Sequence, residues 1–382
     1  MRKYKKSKRT GTVCLAAVLI LALAIIHISS AVTAFGDIFS SIGAGGSYGL
    51  AVKGDGGLWS WGNNSAGQFG DTTRRESLLP IKIMNGVTSV SAGETHCLAI
   101  KSDGSLWAWG GNQFGQLGND TKIERLTPVK IMSGVKAVSA GSTYSLAIKN
   151  DGSLWAWGNN DYGQLGNGVK IERLTPMKVM SGVKAVSAGS TYCLAIKSDG
   201  SLWAWGLNAN GQLGDGTKFE KLIPVKIMDG VTAVSAGEGH NLAIKDDGSL
   251  WAWGINTSGQ LGDGTKFERL IPVKIMDGVK SVSAGSFDSF AIKDDGSLWA
   301  WGLNWSGQNG NSTKLENLIP VKIMDGVTEV SAGKSYCLAV KDDGSLWAWG
   351  YNRNGEIGNN LKIERLTPIK IMDGVMSSIS DK

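Results

Sequence analysis

The chain has 382 residues, with 39 Lys and Arg against 33 Asp and Glu and a formal charge of +6. All six surplus positives, Arg2, Lys3, Lys5, Lys6, Lys8 and Arg9, precede the first acid, Asp37; the body from Phe35 onward is neutral and lacks the basic footprint of a nucleic-acid binder. Fifty-four Gly and fifteen Trp with only seven Pro exclude a collagen-like or disordered chain, because Trp is the largest apolar contribution to a packed interior.

The basic head is followed by Val13 to Ile28, apolar apart from His27, and then by Ser29, Ser30 and Val32-Thr33-Ala34. Basic head, apolar middle and small-residue exit predict an export signal over residues 1–34, cleaved after Ala34 or Ala31, or retained as a signal-anchor transmembrane helix. A nucleic-acid arm would have no use for the apolar run beside it. Cys14 lies inside this segment without the Leu three positions earlier that a lipoprotein signal would have. Cys97, Cys193 and Cys337 are an odd number, which excludes a complete disulfide framework. Residues 35–38 read as a short linker and 379–382 as a tail.

Between them, over 39–378, a 48-residue period runs without slipping. The tetrapeptide W-x-W-G begins at Trp59, Trp107, Trp155, Trp203, Trp251, Trp299 and Trp347, and the same step carries Asp55-Gly56 to Asp343-Gly344 and Pro80 to Pro368. In one unit, Val87 to Ala92 predicts a short strand and Cys97 to Lys101 a second. Asp103-Gly104 predicts a tight hairpin into Leu106 to Trp109, and Pro128 to Met132 predicts a fourth strand led by its proline. Seven units of four strands predict an all-β, seven-bladed propeller. Phe39-Ser40-Ser41-Ile42 opens the first copy and Val375 begins a truncated eighth, so either terminus could fill the strand at the seam.

The unit A-G-x-x-[H/Y]-x-L-A-[I/V]-K-x-D-G-x-L-W-x-W-G-x-N-x-x-G-Q-L-G resembles the regulator of chromosome condensation repeat family over about residues 39–378. With the leader, the chain reads as an exported, bacterial-looking member. The resemblance implies a seven-bladed propeller. The family's characteristic His position reads Tyr48, His96, Tyr144, Tyr192, His240, Asp288 and Tyr336. A plant ultraviolet-B photoreceptor of the family uses Trp directly after the A-G pair; here that position is never Trp, which argues against photoreception.

No acid/base, nucleophile or metal constellation is legible, so the chain reads as a non-enzyme without cofactor or metal. His96 and His240 share one phase of blades two and five, nearly across the ring, and read as substitutes for the Tyr of other copies. The cysteines read as small strand residues. The fourteen repeated tryptophans, Trp59, Trp61, Trp107, Trp109, Trp155, Trp157, Trp203, Trp205, Trp251, Trp253, Trp299, Trp301, Trp347 and Trp349, read as a wall between blades. Lys122-x-Glu124-Arg125 and its equivalents read as solvated ion pairs.

An up-and-down blade sends the A-G-x-x and W-G-x-N-x-x-G loops to one face and the Asp-Gly hairpins to the other. The copies differ on the first face, where Glu94, Phe114, Tyr162, Phe287, Ser286, Asp288, Trp305, Tyr351 and Arg353 are unequal from blade to blade. Glu94, Phe114, Tyr162, Phe287, Trp305, Tyr351 and Arg353 are the candidates for binding a partner. The expectation is a secreted or surface-held monomer that binds one protein, inhibition being one form. The family's secreted β-lactamase inhibitory proteins look like this. A cell-surface carbohydrate-binding propeller is the alternative. Nucleotide exchange or chromatin binding, as in the family's founding member, fits less well, and the membrane enters only through an uncleaved N-terminal segment.

Overall fold

The structure, a computed structural model, describes residues 42–375. The expected leader, linker and tail, and Phe39 to Ser41 of the first copy, lie outside the described residues. The described chain forms seven sheets of four antiparallel strands, each a simple meander. Blade one comprises β1 (Ile42–Ala44), β2 (Tyr48–Val52), β3 (Leu58–Gly62) and β4 (Ser77–Met84); blade two comprises β5 (Val87–Ala92), β6 (His96–Lys101), β7 (Leu106–Gly110) and β8 (Arg125–Met132). Blades three to seven follow over 135–180, 183–228, 231–276, 279–324 and 327–372.

Alternation explains the first three strands. Leu98 and Ile100 turn to one side of β6, Cys97 and Ala99 to the other, and all four are buried, as a sheet packed on both faces requires. Gly104 at φ +73° closes the Asp-Gly hairpin, a conformation costly for any side chain. The fourth strand begins earlier than its proline suggests. β8 starts at Arg125, and its ladder to β7 jumps from Ala108↔Val129 to Gly110↔Arg125. Pro128 therefore sits in a bulge of an outer strand, where its missing N–H breaks no bond.

Each hydrophobic core lies between two blades. The Leu98, Ile100, Leu106 and Ala108 face of blade two packs against Val135, Ala147 and Trp157 of blade three, and six similar clusters complete the ring. The second Trp of each pair is fully buried there. Its indole N–H donates to the backbone carbonyl of the preceding blade's Gln, as Trp109 to Gln68 (2.8 Å) and Trp157 to Gln116 (2.8 Å), with Glu356 serving Trp61 (2.7 Å). The first Trp is half-buried at the outer end of the same wall. Trp107 donates to Ser105 Oγ (2.9 Å) beneath Lys101 Nζ, 4.7 Å from the ring centre. In blade one Gly57 replaces that serine, and Trp59 Nε1 has no partner among the described residues.

Both ends of the described chain build the seam. Ile42 pairs with Ala51 as Val90 pairs with Ala99, while Val375 bridges Lys53 as Val87 pairs with Lys101. The inner strand of blade one is thus made of two pieces. Ile42, Ala51 and Trp61 share a core with Tyr336, Leu338 and Leu346 of blade seven, which closes the ring.

Candidate binding face

The loops between third and fourth strands are the longest connections, and their repeated polar residues are internal struts. Asn208 Nδ2 donates to Asp215 Oδ1 (3.0 Å) and the Thr217 carbonyl (3.0 Å), while its Oδ1 accepts the Leu213 amide (2.9 Å). Gln212 Oε1 accepts the Asn210 amide (2.9 Å). The same Asn strut recurs in the other blades, as Asn160 to the Leu165 amide and Asn256 to the Leu261 amide (both 2.9 Å), so the varying residues ride on a braced frame, although Gln260 Nε2 has no partner among the described residues. In blade seven Glu356 takes the Gln position and accepts the Asn354 amide (2.9 Å); burial raises its carboxyl above the ordinary range.

At the centre of this face, seven Ala-Gly-x tripeptides surround an open depression of about 180 Å³. The third residue is Gly46, Glu94, Ser142, Ser190, Glu238, Ser286 or Lys334 in turn. Lys334 reaches past blade one to pair with Glu94 (3.5 Å), and a Cβ at Gly46 would lie 2.7 Å from the Glu94 carbonyl oxygen. Ser142 and Ser190 hydroxyls meet at 3.1 Å.

A family model for the RCC1-like domain matches residues 26–277, well over half of the chain. The chain belongs to the RCC1-like domain family. Models of the regulator of chromosome condensation (RCC1) repeat match residues 279–308, 327–356 and 295–340. Among solved structures, yeast RCC1 (Prp20) bound to Kap60 is 24% identical with a TM-score of 0.75, covering 82% of this chain and 83% of that one. Prp20p from Saccharomyces cerevisiae, described with its binding to Gsp1p and histones, gives 24% and 0.76, covering 86% and 88%. Human WBSCR16 gives 22% and 0.72, covering 80% and 87%. At these identities the likeness is one of fold. No curated protein sequence matches the chain.

On this RCC1-like propeller the sequence candidates separate by exposure. Trp305 (71% exposed), Tyr162 (41%), Glu94 and Arg353 stand out to solvent, whereas Phe114, Phe287 and Tyr351 are half-buried. Asp288 is not on the rim. It lies in the second strand of blade six, fully buried at the position where other blades carry a latch to their neighbour. Tyr48 OH donates to the His96 carbonyl (2.7 Å), Tyr192 OH to the His240 carbonyl (2.8 Å), and Tyr336 OH across the seam to Tyr48. The histidines use a second form of the latch. His96 Nε2 meets Ser145 Oγ and His240 Nε2 meets Ser289 Oγ, both at 2.9 Å. Burial lowers them to about 4 and about 3, so both are neutral at physiological pH. Cys97 and Cys193 sit against the hydroxyls of Tyr48 (3.2 Å) and Tyr144 (3.3 Å), buried with thiol pKa values pushed up. Among the described residues no group of three His, Cys, Asp or Glu is placed to hold a metal ion.

Two features of the rim escaped sequence reasoning. The Lys-x-Glu segments pair between blades rather than within one. Lys122–Glu172, Lys170–Glu220, Lys218–Glu268, Lys266–Glu316, Lys314–Glu364, Lys362–Glu76 and Arg74–Glu124 form a closed belt. The residue between each Lys and Glu is turned out to solvent: Ile123, Ile171, Phe219, Phe267, Leu315 and Ile363 are 60–76% exposed. A single apolar residue between charges carries no periodic signal; only its recurrence at the 48-residue step could have marked it.

Proposed function

We propose that this RCC1-like propeller is an exported, non-catalytic binding scaffold whose loop-bearing face engages a protein partner, with inhibition of that partner as one form. The observation that carries the reading is the single exposed indole of Trp305 on a rigid loop. No other blade presents a Trp at that position, and large aromatics on fixed frames are the usual anchors of protein recognition. The binding of yeast RCC1 to Kap60 supports the use of this fold for protein partners. The blades carry unequal side chains in their loops, which suits one asymmetric partner better than repeated small ligands. The neutral body argues against chromatin. Trp305 also offers a stacking platform for a sugar ring, which favours a cell-surface carbohydrate as the second reading.

The test uses residues 38–382 as bait against culture medium, cell envelopes and glycan arrays, beside a variant carrying Tyr162→Ala, Trp305→Ala and Arg353→Ala. The expected result is retention of a protein by the parent and at least tenfold weaker retention by the variant, with the same melting temperature. Equal retention by both baits would remove the loop face from the account; retention of glycans alone would transfer it to the carbohydrate reading.

A further inference from the structure

The apolar rim is doubled on one arc. In blades four, five and six the residue before the proline is Ile223, Ile271 and Ile319, 58–59% exposed, where blades two, three and seven carry Thr127, Thr175 and Thr367. Each isoleucine leans on the preceding blade's loop. Ile271 Cγ2 lies 3.7 Å from the Cβ position of Gly216, three residues before Phe219, and Ile319 Cγ2 lies 3.8 Å from that of Gly264, three residues before Phe267. Phe219, Ile271, Phe267, Ile319 and Leu315 (75% exposed) therefore form a stepped apolar arc across two blade junctions, with Ile223 extending it toward blade three. Apolar patches of this extent mark binding surfaces.

The charges between these side chains are satisfied within the chain. Lys218–Glu268, Lys266–Glu316 and Lys314–Glu364 span the junctions, and Lys221–Asp215 and Arg269–Asp263 lie beside them. A patch with paired charges neither selects an oppositely charged partner nor repels its own copy. Six side chains exposing on the order of 100 Å² each, with the lysine stems among them, approach the roughly 800 Å² per partner of a standard interface. The arc also repeats at one-blade spacing. A second copy turned about a two-fold axis brings the same spacing in the opposite direction, so phenylalanines can seat between isoleucines without a specially evolved socket.

We infer that blades four to six form an isologous dimer interface, so that the partner of this arc is a second copy of the chain. The inference rests on the scaffold reading and names one protein partner, distinct from the one recruited by Trp305. It replaces the monomer expected from the sequence.

The described residues 42–375 contain all seven inter-blade cores, so residues 38–382 carry the whole ring into the test. Sedimentation velocity between about 1 and 100 µM, the range of weak to moderate dimers, should show the dimer mass. A variant with Phe219→Ser, Phe267→Ser and Leu315→Ser should sediment as monomer with an unchanged melting temperature. Ile123→Ser, at the same phase outside the arc, should remain dimeric. If the triple variant melts early, Phe267→Ser alone should weaken the dimer at least tenfold. A parent that is monomeric throughout overturns the inference, as does one that instead floats with phosphatidylcholine vesicles, or a triple variant that still dimerises. Loss of the dimer leaves retention through Trp305 intact, so the two readings fail separately.

Discussion

Replacing Asp288 by Tyr should stabilise the propeller by on the order of 2–5 kcal/mol at pH 8, as measured by chemical denaturation. Asp288 is fully buried at the junction of blades six and seven, where no side chain among the described residues donates to its carboxyl and only the nearby Asp288 and Phe287 backbone amides favour its charged form. Burial pushes its pKa to about 8. An unfolded Asp titrates near 4, so the folded state binds the proton more tightly, and its advantage is lost as pH rises from about 4 to 8. A Tyr there can donate to the Gly333 and Tyr336 carbonyls, as Tyr48 does to those of Gly93 and His96. It also meets Cys337 as Tyr48 meets Cys97. Asp288→Asn should flatten the same pH window without supplying the latch, giving a smaller gain. The neutral histidines act in the opposite direction. Their lowered pKa values withdraw stability as pH falls below about 6.5, so between about pH 4 and 6.5 they oppose the trend set by Asp288. If Asp288→Asn destabilises the protein at pH 8, the carboxylate has a compensating partner and the account of this junction is wrong.

Trp157→Ala should cost about 3–5 kcal/mol, the usual range for deleting a buried Trp, whereas Trp155→Ala two residues away should cost no more than about 2 kcal/mol. Trp157 fills the wall between blades two and three and satisfies the Gln116 carbonyl. Its removal opens a cavity and takes away one of the two donors to that carbonyl, leaving the Ser145 hydroxyl (2.8 Å). Trp155 is half-buried, holds Ser153 and lies under Lys149, so solvent can take its place on one side. In a ring whose hydrophobic cores each join two neighbouring blades, the contrast should recur in each W-x-W pair. Equal losses for the two variants in denaturant titrations would contradict the assignment of inner and outer positions.

The architecture was legible because each blade repeats the same decision. W-x-W-G, the Asp-Gly hairpin and the single proline return in phase seven times, so strands, turns and the faces on which loops emerge follow from one unit. The departures came where one residue obeys two neighbours. Pro128 looked like a strand start, but the ladder accommodates it in a bulge three residues inside. Asp288 looked like part of a variable loop because its charge is foreign to a core, yet the repeat's phase places it in a strand regardless. The composite strand at the seam could not be read, since both termini offered sequence of the same phase. Within the candidate face, Trp305 was visible as a blade-specific aromatic. Phe219 and Phe267 were not, because between Lys and Glu they resemble loop residues whose exposure depends on where the flanking charges find partners, fifty residues along the chain.

The most direct measurement on the central claim is site-specific photo-cross-linking from the two faces of the disc. Benzoylphenylalanine would replace either Trp305 in the loop face or Asp246 in an exposed hairpin of the opposite face, in residues 38–382 incubated with cell envelopes and culture medium. The loop-face scaffold predicts a discrete protein adduct from position 305 and none from position 246. The same adduct from position 246 alone, or equally from both, would contradict it.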